Sequence, residues 1–214
     1  DGNLTQTNPL IFASFNHVAQ RYLGRTYSPQ EIISWFGPTE AVALAQLLGE
    51  HVAAEAMDEL CRFYSTHHNE MARLHERVID VLELLQQRNI RLSLFTGKGE
   101  RTTRITLEAF GLSRFFDIVV TGDDVMHHKP APEGIQQIMH RCGTGPEEVL
   151  MVGDSLADLQ ASRSAGVPIA AALWDSYDRT RVLAAQPDVV FHSAEEMLDW
   201  FHRNTNGFRR ASTS

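Results

Sequence analysis

The sequence contains very little cysteine and very little lysine. Of its 214 residues only Cys61 and Cys142 are cysteines, which excludes a disulfide framework and a cysteine-rich zinc scaffold. So few cysteines are typical of a reducing compartment, and we expect the protein to be cytoplasmic. Long hydrophobic runs are missing as well. None reaches the roughly 18 apolar residues that a membrane helix needs, so no membrane partner is expected.

Basic charge is also scarce. Acidic residues outnumber basic ones by 27 to 19, which gives a formal net charge of −8, and the sequence contains no basic run. A nucleic-acid partner is therefore not expected. A small anion can still bind such a protein where the fold gathers local positive charge.

The second half of the sequence alternates short apolar segments with helix-like ones. The apolar segments are typical of strands that are buried on both faces: Arg91–Thr96, Asp117–Thr121, Val149–Gly153, Pro168–Leu173 and Asp188–His192. The other segments favour helices: Glu100–Phe110, Pro132–Cys142, Ala157–Ala165, Asp178–Ala185 and Ala194–Trp200. This alternation predicts an α/β fold with an open parallel sheet and helices on both faces.

Residues 8–76 follow a different pattern, in which apolar side chains recur at helical spacing. Ser28 followed by Glu31 has the sequence of a capping box, and Gly37-Pro38-Thr39 separates one helix from the next. We therefore predict an all-helical insert at residues 8–76. It interrupts an α/β core formed by residues 1–7 and 77–203, and the polar residues 204–214 are predicted to be a flexible tail.

Polar residues follow three of the predicted strands, where the carboxyl ends of a parallel sheet collect ligands. They are Thr96-Gly97-Lys98, then His128-Lys129, then Gly153-Asp154-Ser155 with Asp158. Taken singly, each is equally well explained by a turn or a helix N-cap. However, both lysines of the sequence fall in these loops, although the chain has 19 basic residues in all.

This combination suits phosphoryl transfer. Carboxylates hold Mg²⁺, a hard cation that prefers oxygen ligands and works with substrate phosphates. A lysine and a threonine offset charge on the transferring phosphoryl group. An aspartate can act as the nucleophile, and a second carboxylate can protonate the leaving group.

Four motifs in order resemble those of the haloacid dehalogenase (HAD) superfamily, in the branch of phosphoglycolate-phosphatase-like members with a helical cap. The opening DGNLTQTNPLIF resembles the first motif, usually Asp-x-Asp-Gly-Thr-Leu. LFTGK resembles the second, HHKPAPEGI the third and VGDSLADLQASRSAG the fourth. The resemblance covers nearly the whole chain and implies a HAD-like, Rossmann-type core.

The resemblance also implies roles for individual residues. Asp1 would be the general acid/base and would face the metal through its backbone carbonyl. Asp154 would bind Mg²⁺, and Asp158 would support the metal directly or through water. Thr96 and Lys129 would contact the transferring phosphoryl group, and the backbone N–H groups of Gly2 and Gly97 would complete the phosphate cradle. Lys98 would be either a substrate contact or an ordinary lysine at the rim.

The nucleophile of the family is the first aspartate of the opening motif, which would stand two residues before Asp1. We therefore expect the native chain to begin further upstream, because a sheet without its central strand would have two unpaired edges. A rival alignment makes Asp1 the nucleophile and Thr5 the motif threonine, with Asn3 in place of the acid/base. In that case turnover should suffer, because an amide does not exchange protons as a carboxylate does.

The resemblance narrows the reaction. The segment from Asn8 to Glu76 contains no lysine, which argues against phosphonate hydrolysis through a cap Schiff base. Ile11 stands where sugar-phosphate mutases of the family carry a histidine, and the aspartates at 154 and 158 argue against a dehalogenase. The expected protein is an Mg²⁺-dependent phosphatase, monomeric or homodimeric, that acts on a small phosphorylated metabolite. That metabolite would be a phosphoglycolate-like phosphomonoester or pyrophosphate.

Two hypotheses stay open at this point. The alternative to the enzyme is a catalytically impaired HAD-like module that binds a phosphorylated ligand or a protein partner. In the insert, the loop Phe36-Gly37-Pro38-Thr39-Glu40, with Gly37 and Pro38 at its centre, is either a specificity element or a plain turn between helices. The histidine pairs His67-His68 and His127-His128 lack the spacing of metal ligands and are predicted to be solvated.

Overall fold

A computed structural model describes residues 2–204 of the chain. Its ten helices are Asn8–Leu23 (α1), Pro29–Ile33 (α2), Glu40–Leu48 (α3), Glu50–Met71 (α4), Val78–Gln87 (α5), Glu100–Ala109 (α6), Glu133–Cys142 (α7), Leu156–Ser164 (α8), Arg179–Ala184 (α9) and Ala194–Asn204 (α10). Its seven strands are Thr5–Gln6 (β1), Arg73–Leu74 (β2), Ser93–Phe95 (β3), Ile118–Val120 (β4), Met151–Gly153 (β5), Ile169–Ala172 (β6) and Val189–Phe191 (β7). Short 3₁₀ turns occur at Ser113–Phe115, Gly122–Asp124 and Pro146–Glu148.

The five core strands are all parallel, as the α/β pattern predicts. Leu94 of β3 pairs with Val119 of β4, and β6 lies between β5 and β7. Strand β6 is buried along its whole length, which is why its sequence is continuously apolar. The predicted α/β fold class is confirmed, and each of these strands falls inside the segment predicted for it.

The described core strands form two parallel sheets, β3-β4 and β5-β6-β7. A cavity lies between β3 and β5. Strands β3 and β5 are each paired on one side only within residues 2–204. Residues of both strands, together with apolar residues of α5 and α10, line one cavity of about 1130 Å³. The two sheets are bridged at their carboxyl ends by side chains, which are described below.

A short antiparallel pair joins the helical insert to the core. Thr5 of β1 pairs with Leu74 of β2, so the chain leaves and re-enters the core side by side. Strands of two residues carry no readable periodicity, and the sequence did not predict them. The helices α1–α4 lie between the two strands.

The insert has a core of its own. Buried apolar residues from α1, α2, α3 and α4 form one cluster, whose fully buried members include Leu10, Ile32, Leu44 and Tyr64. The predicted capping box at the start of α2 is confirmed, because Ser28 Oγ accepts from Glu31 N and Ser28 N donates to Glu31. None of the described helices is long and apolar enough to cross a bilayer.

Helix α6 belongs to both packing units. Its Ile105 packs against the cluster inside the insert, whereas Leu107 is buried in a core cluster with Val78 and Leu112. The hydroxyl groups of Tyr64 in α4 and Thr106 in α6 are hydrogen-bonded across 2.9 Å. The insert is therefore seated on the helix that directly follows the Thr96–Gly99 loop.

Candidate active site

Lys129 lies at the centre of the site, in the loop between β4 and α7. Its Nζ donates to the backbone carbonyl of Phe95 at 3.2 Å and to Asp158 Oδ1 at 2.7 Å. It also lies over the Phe95 ring. One ammonium group therefore connects the carboxyl end of β3 with the first turn of α8, across the space between the two sheets.

Asp158 is fully engaged in hydrogen bonds. Its Oδ1 accepts from Lys129, and its Oδ2 accepts from Asp154 N, Ser155 N and Ser155 Oγ. Burial opposes ionisation of Asp158, but the Lys129 ammonium and the Ser155 donors outweigh it and hold the pKa of this carboxyl below its usual range. This geometry makes Asp158 an organiser of the loop after β5 and the N-terminal cap of α8.

Asp154 is partly buried and has no comparable compensation. Burial, reinforced by the negative charge of Asp158, raises the pKa of Asp154 to about 7. A cation beside this carboxylate would offset that cost, and carboxylate oxygen is the donor that Mg²⁺ prefers. Asp154 therefore fits a magnesium ligand, with Asp158 behind it. Within residues 2–204 no group of three His, Cys, Asp or Glu side chains converges on one point.

Gly2 makes a close approach to Asp154 that no other residue allows. Its φ is +70°, and a Cβ atom at this position would collide with the Asp154 carboxylate. Asn3 Nδ2 donates to the carbonyl of Val152 at 3.0 Å, which ties the opening segment to the end of β5. Asp1, to which the resemblance assigns acid/base and metal roles, lies outside the described residues.

Thr96 and Gly97 form the turn that follows β3. Thr96 N donates to Val120 O at 3.0 Å, and Lys98 N donates to Thr96 Oγ1 at 3.2 Å. The threonine hydroxyl thus shapes the turn before it meets any ligand. Thr96, Gly97 and Lys129 all line the same cavity as Asp154.

Lys98 points toward the insert. Its Nζ donates to Tyr64 Oη at 2.5 Å and lies over the Tyr64 ring. Gly37 and Pro38 line the same cavity as Thr96, and a Cβ atom on Gly97 would lie 4.0 Å from the Gly37 carbonyl oxygen. The insert loop approaches the core closely at Gly122. A Cβ atom on Gly122 would lie 2.5 Å from Thr39 Cγ2 of the insert and 2.5 Å from the Gly97 carbonyl oxygen of the core.

Three features of the site are missing from the sequence predictions. Ser176, after β6, donates to the Asp154 carbonyl at 2.5 Å. Trp174 Nε1 donates to Asn3 O at 3.0 Å, so the same loop holds the opening segment. Glu40 ends the loop predicted as a possible specificity element, and the sequence did not indicate the hydrogen bonds that it accepts from the core. A loop residue such as Ser176, which bonds a backbone carbonyl, leaves no spacing signal in the sequence. The segment Trp174–Asp178 was still a usable signal, because its polar residues follow an apolar strand.

The prediction that the histidine pairs are solvated is wrong for His68. This residue is only 1% exposed and packs against the rings of Tyr64 and Phe110. Burial and the nearby Lys98 charge lower its pKa. His67, the preceding residue of the same helix, lies on another face and contacts the Glu70 carboxylate.

The parallel α/β core, the helical insert and the polar strand ends are together the features of one class of hydrolase, the haloacid dehalogenase-like hydrolases. The chain matches the sequence model of the family described as haloacid dehalogenase-like hydrolase over residues 1–172, and it belongs to that family. It is 32% identical over 198 residues to the pyrophosphatase PpaX of Bacillus cereus (strain AH820), which covers 92% of this chain and 91% of the relative. The PpaX protein of Bacillus pumilus (strain SAFR-032) is also 32% identical, over 202 residues.

Solved structures share the fold at lower identity. A predicted phosphoglycolate phosphatase from Haemophilus somnus 129pt superposes with a TM-score of 0.81 at 23% identity, covering 94% of both chains. CbbY from Rhodobacter sphaeroides, solved in complex with phosphate, gives a TM-score of 0.80 at 21% identity and covers 92% of both chains. These two likenesses show that the fold of this chain is shared with both proteins.

Proposed function

We propose that this protein is an Mg²⁺-dependent phosphatase that hydrolyses a small phosphorylated metabolite, either a phosphoglycolate-like monoester or pyrophosphate. One observation carries the proposal: Thr96, Lys129 and Asp154 come from three separate loops and line one cavity at the carboxyl ends of β3 and β5. The PpaX relatives, whose name states a pyrophosphatase, support the pyrophosphate alternative. The cytoplasm remains the expected compartment.

The residues of the chain suggest how the phosphoryl group is bound. The Lys129 ammonium balances the negative charge of the phosphoryl oxygens, and the Thr96 hydroxyl and the Gly97 N–H donate hydrogen bonds to them. Asp158 fixes the position of Lys129 through the 2.7 Å ion pair. Pre-positioned donors of this kind stabilise the transition state without reorganising during the reaction.

Asp154 is the proposed side-chain ligand of Mg²⁺, with Asp158 supporting its loop. When bound, the ion would neutralise phosphoryl charge and align the phosphate for in-line attack. Ser176 Oγ donates a hydrogen bond to the backbone carbonyl of Asp154 and so fixes the position of this residue. The Gly2 backbone lies against the carboxylate, which leaves no room there for a side chain.

The covalent chemistry is carried over from the family resemblance. An aspartate two residues before Asp1 would attack phosphorus, forming a carboxyl–phosphorus bond while the bond to the leaving oxygen breaks. The Asp1 carboxyl would give its proton to that oxygen and would then take a proton from the water that cleaves the aspartyl-phosphate.

The proposal is tested on the natively expressed full-length protein by measuring phosphate release from pyrophosphate and from 2-phosphoglycolate. We expect release that requires Mg²⁺, stops with EDTA and is abolished in Asp154→Asn. Circular dichroism verifies the fold, and Asp178→Asn, on a neighbouring loop outside the cavity, is the matched control.

Turnover at the wild-type rate in Asp154→Asn would refute the metal assignment. If the wild-type protein releases no phosphate but is stabilised by inorganic phosphate in a melting experiment, the impaired binding module is the correct function. The two outcomes are separable, because the melting experiment does not depend on turnover.

A further inference from the structure

We propose that Glu40, in the helical insert, is a positioning residue for the phosphate-binding turn of the core. It couples the seating of the insert to the conformation of residues 96–99. The inference rests on the proposed function only in taking this turn to be the phosphate-binding one. Its structural part stands on contacts that are independent of any reaction.

The contacts of Glu40 cross from the insert to the core. Glu40 is the first residue of α3, and its side chain is buried between the two units. Its Oε2 accepts from Gly99 N at 2.7 Å, and its Oε1 accepts from Thr102 Oγ1, also at 2.7 Å. Both donors belong to the first turn of α6, directly after Thr96-Gly97-Lys98.

The helix start of the core offers only a weak substitute for these hydrogen bonds, a 3.4 Å contact from Thr102 Oγ1 to the Gly99 carbonyl. Gly99 is the N-cap residue of α6 and has no side chain with which to cap the helix. The first N–H groups of a helix lack partners inside the helix, and a carboxylate stabilises them through charge as well as hydrogen bonding. Two carboxylates from outside the helix do this work: Glu40 on Gly99, and Asp123 of the core on Glu100 N.

A second contact from the insert lies beside the first. Tyr64 of α4 accepts from Lys98 and is hydrogen-bonded to Thr106. Residues 98 and 99 are therefore held from the insert by two different helices. If the insert moves away, Gly99 N and Thr102 Oγ1 exchange a charged acceptor in a buried site for water. The seated insert therefore favours the ordered conformation of the turn.

The experiment compares Glu40→Ala and Glu40→Gln with two matched controls. Asp123→Ala removes the other carboxylate on the same helix start but leaves the insert untouched. Asp58→Ala breaks the exposed 2.8 Å ion pair with Arg101, which also joins the insert to the first turn of α6 but is made through side chains only. Amide hydrogen exchange of residues 97–103 is measured, together with kcat and KM for pyrophosphate.

We expect Glu40→Ala to speed exchange in residues 97–103 and to lower kcat by about tenfold or more, as expected for loss of a hydrogen-bonded charge. Glu40→Gln should recover part of both effects, because its amide oxygen still accepts one bond. Asp58→Ala should change kcat less than threefold, as for an exposed ion pair. Thr102→Val, which removes one donor, gives the same test if Glu40→Ala does not fold.

Equal loss of kcat in Asp123→Ala and Glu40→Ala would overturn the inference, because ordinary helix capping would then explain both. Wild-type exchange in Glu40→Ala would overturn it as well. If no variant, wild type included, releases phosphate, the proposed function fails. The exchange data then still decide whether Glu40 orders the turn.

Discussion

The Lys129 ammonium and the Asp158 carboxylate form an ion pair of 2.7 Å that spans the two parallel sheets. The side chains are 16% and 6% exposed, so solvent screens the pair little. Lys129 reaches it from the loop after β4, and Asp158 from the first turn of α8. The pair therefore stabilises the fold and also fixes the position of the Lys129 ammonium, which the proposed reaction uses.

Removing the charge of Lys129 should damage both activity and stability. We expect Lys129→Met to lower kcat by at least about 100-fold, because the charge that balances the phosphoryl oxygens is lost. Its free energy of unfolding should fall by about 3 kcal/mol, because Asp158 is left buried without its cation. Phosphate-release kinetics and urea unfolding measure the two effects.

The partner variant separates the ion pair from its surroundings. Asp158→Asn and the double variant complete a thermodynamic cycle, in which we expect a coupling energy of about 1–3 kcal/mol. Additive stability changes would mean that the 2.7 Å contact contributes nothing beyond its separate members.

Much of the fold follows from local patterns. Short apolar segments between helix starts gave β3 to β7, because a parallel strand covered on both faces has few polar residues. The capping box at Ser28 marks the start of α2 in the sequence itself. The pair β1–β2 was not predictable, because two residues per strand carry no period and the pairing joins Thr5 to the distant Leu74.

The placement of Thr96, Lys129 and Asp154 around one cavity was predictable, because each stands in a loop that follows a predicted strand. Contacts made across the fold were not. Glu40 meets Gly99 only because the insert folds back on the core, and Ser176 meets the Asp154 backbone through a different loop. The burial of His68 was missed because the pair His67-His68 puts adjacent residues on different faces of one helix.

The Thr96 hydroxyl should matter more than its methyl group. Thr96→Val removes the acceptor for Lys98 N and the proposed donor to phosphate, and kcat/KM should fall by about 100-fold. Thr96→Ser keeps the hydroxyl and should stay within about tenfold of wild type. Thr121→Val is the matched control, because Thr121 is a buried threonine after β4 whose hydroxyl bonds only Asp124 among the described residues. An unchanged kcat/KM in Thr96→Val would contradict the assigned role.

Ser176 should tune the binding of magnesium without taking part in chemistry. Its hydroxyl donates to the Asp154 carbonyl and accepts from Asp178 N, so it positions the proposed ligand. In Ser176→Ala the Mg²⁺ concentration for half-maximal activity should rise roughly tenfold, the scale of a supporting hydrogen bond behind a metal ligand. At saturating Mg²⁺, kcat should return close to wild type. Ser193→Ala, which removes an exposed helix cap, should leave the Mg²⁺ dependence unchanged.

The burial of His68 should make the fold sensitive to acid. Its folded-state pKa is lowered from the ordinary value of 6.5, first by burial and then by the charge of Lys98. The unfolded chain therefore binds more protons, and stability is lost as the pH falls below about 6.5. His75 has a pKa lowered by burial and contributes a slope of the same sign.

Replacing His68 isolates its share of that slope. His68→Phe keeps a ring against Tyr64 and Phe110 but has no titrating group. Urea unfolding between pH 5 and pH 8 should show a smaller loss of stability at the acid end in His68→Phe than in wild type. His67→Phe, on the partly exposed neighbour, is the matched control. If stability depends on pH equally in wild type and in His68→Phe, the His68 ring is not kept neutral by burial. The close packing of α4 on α6 at His68 would then be refuted.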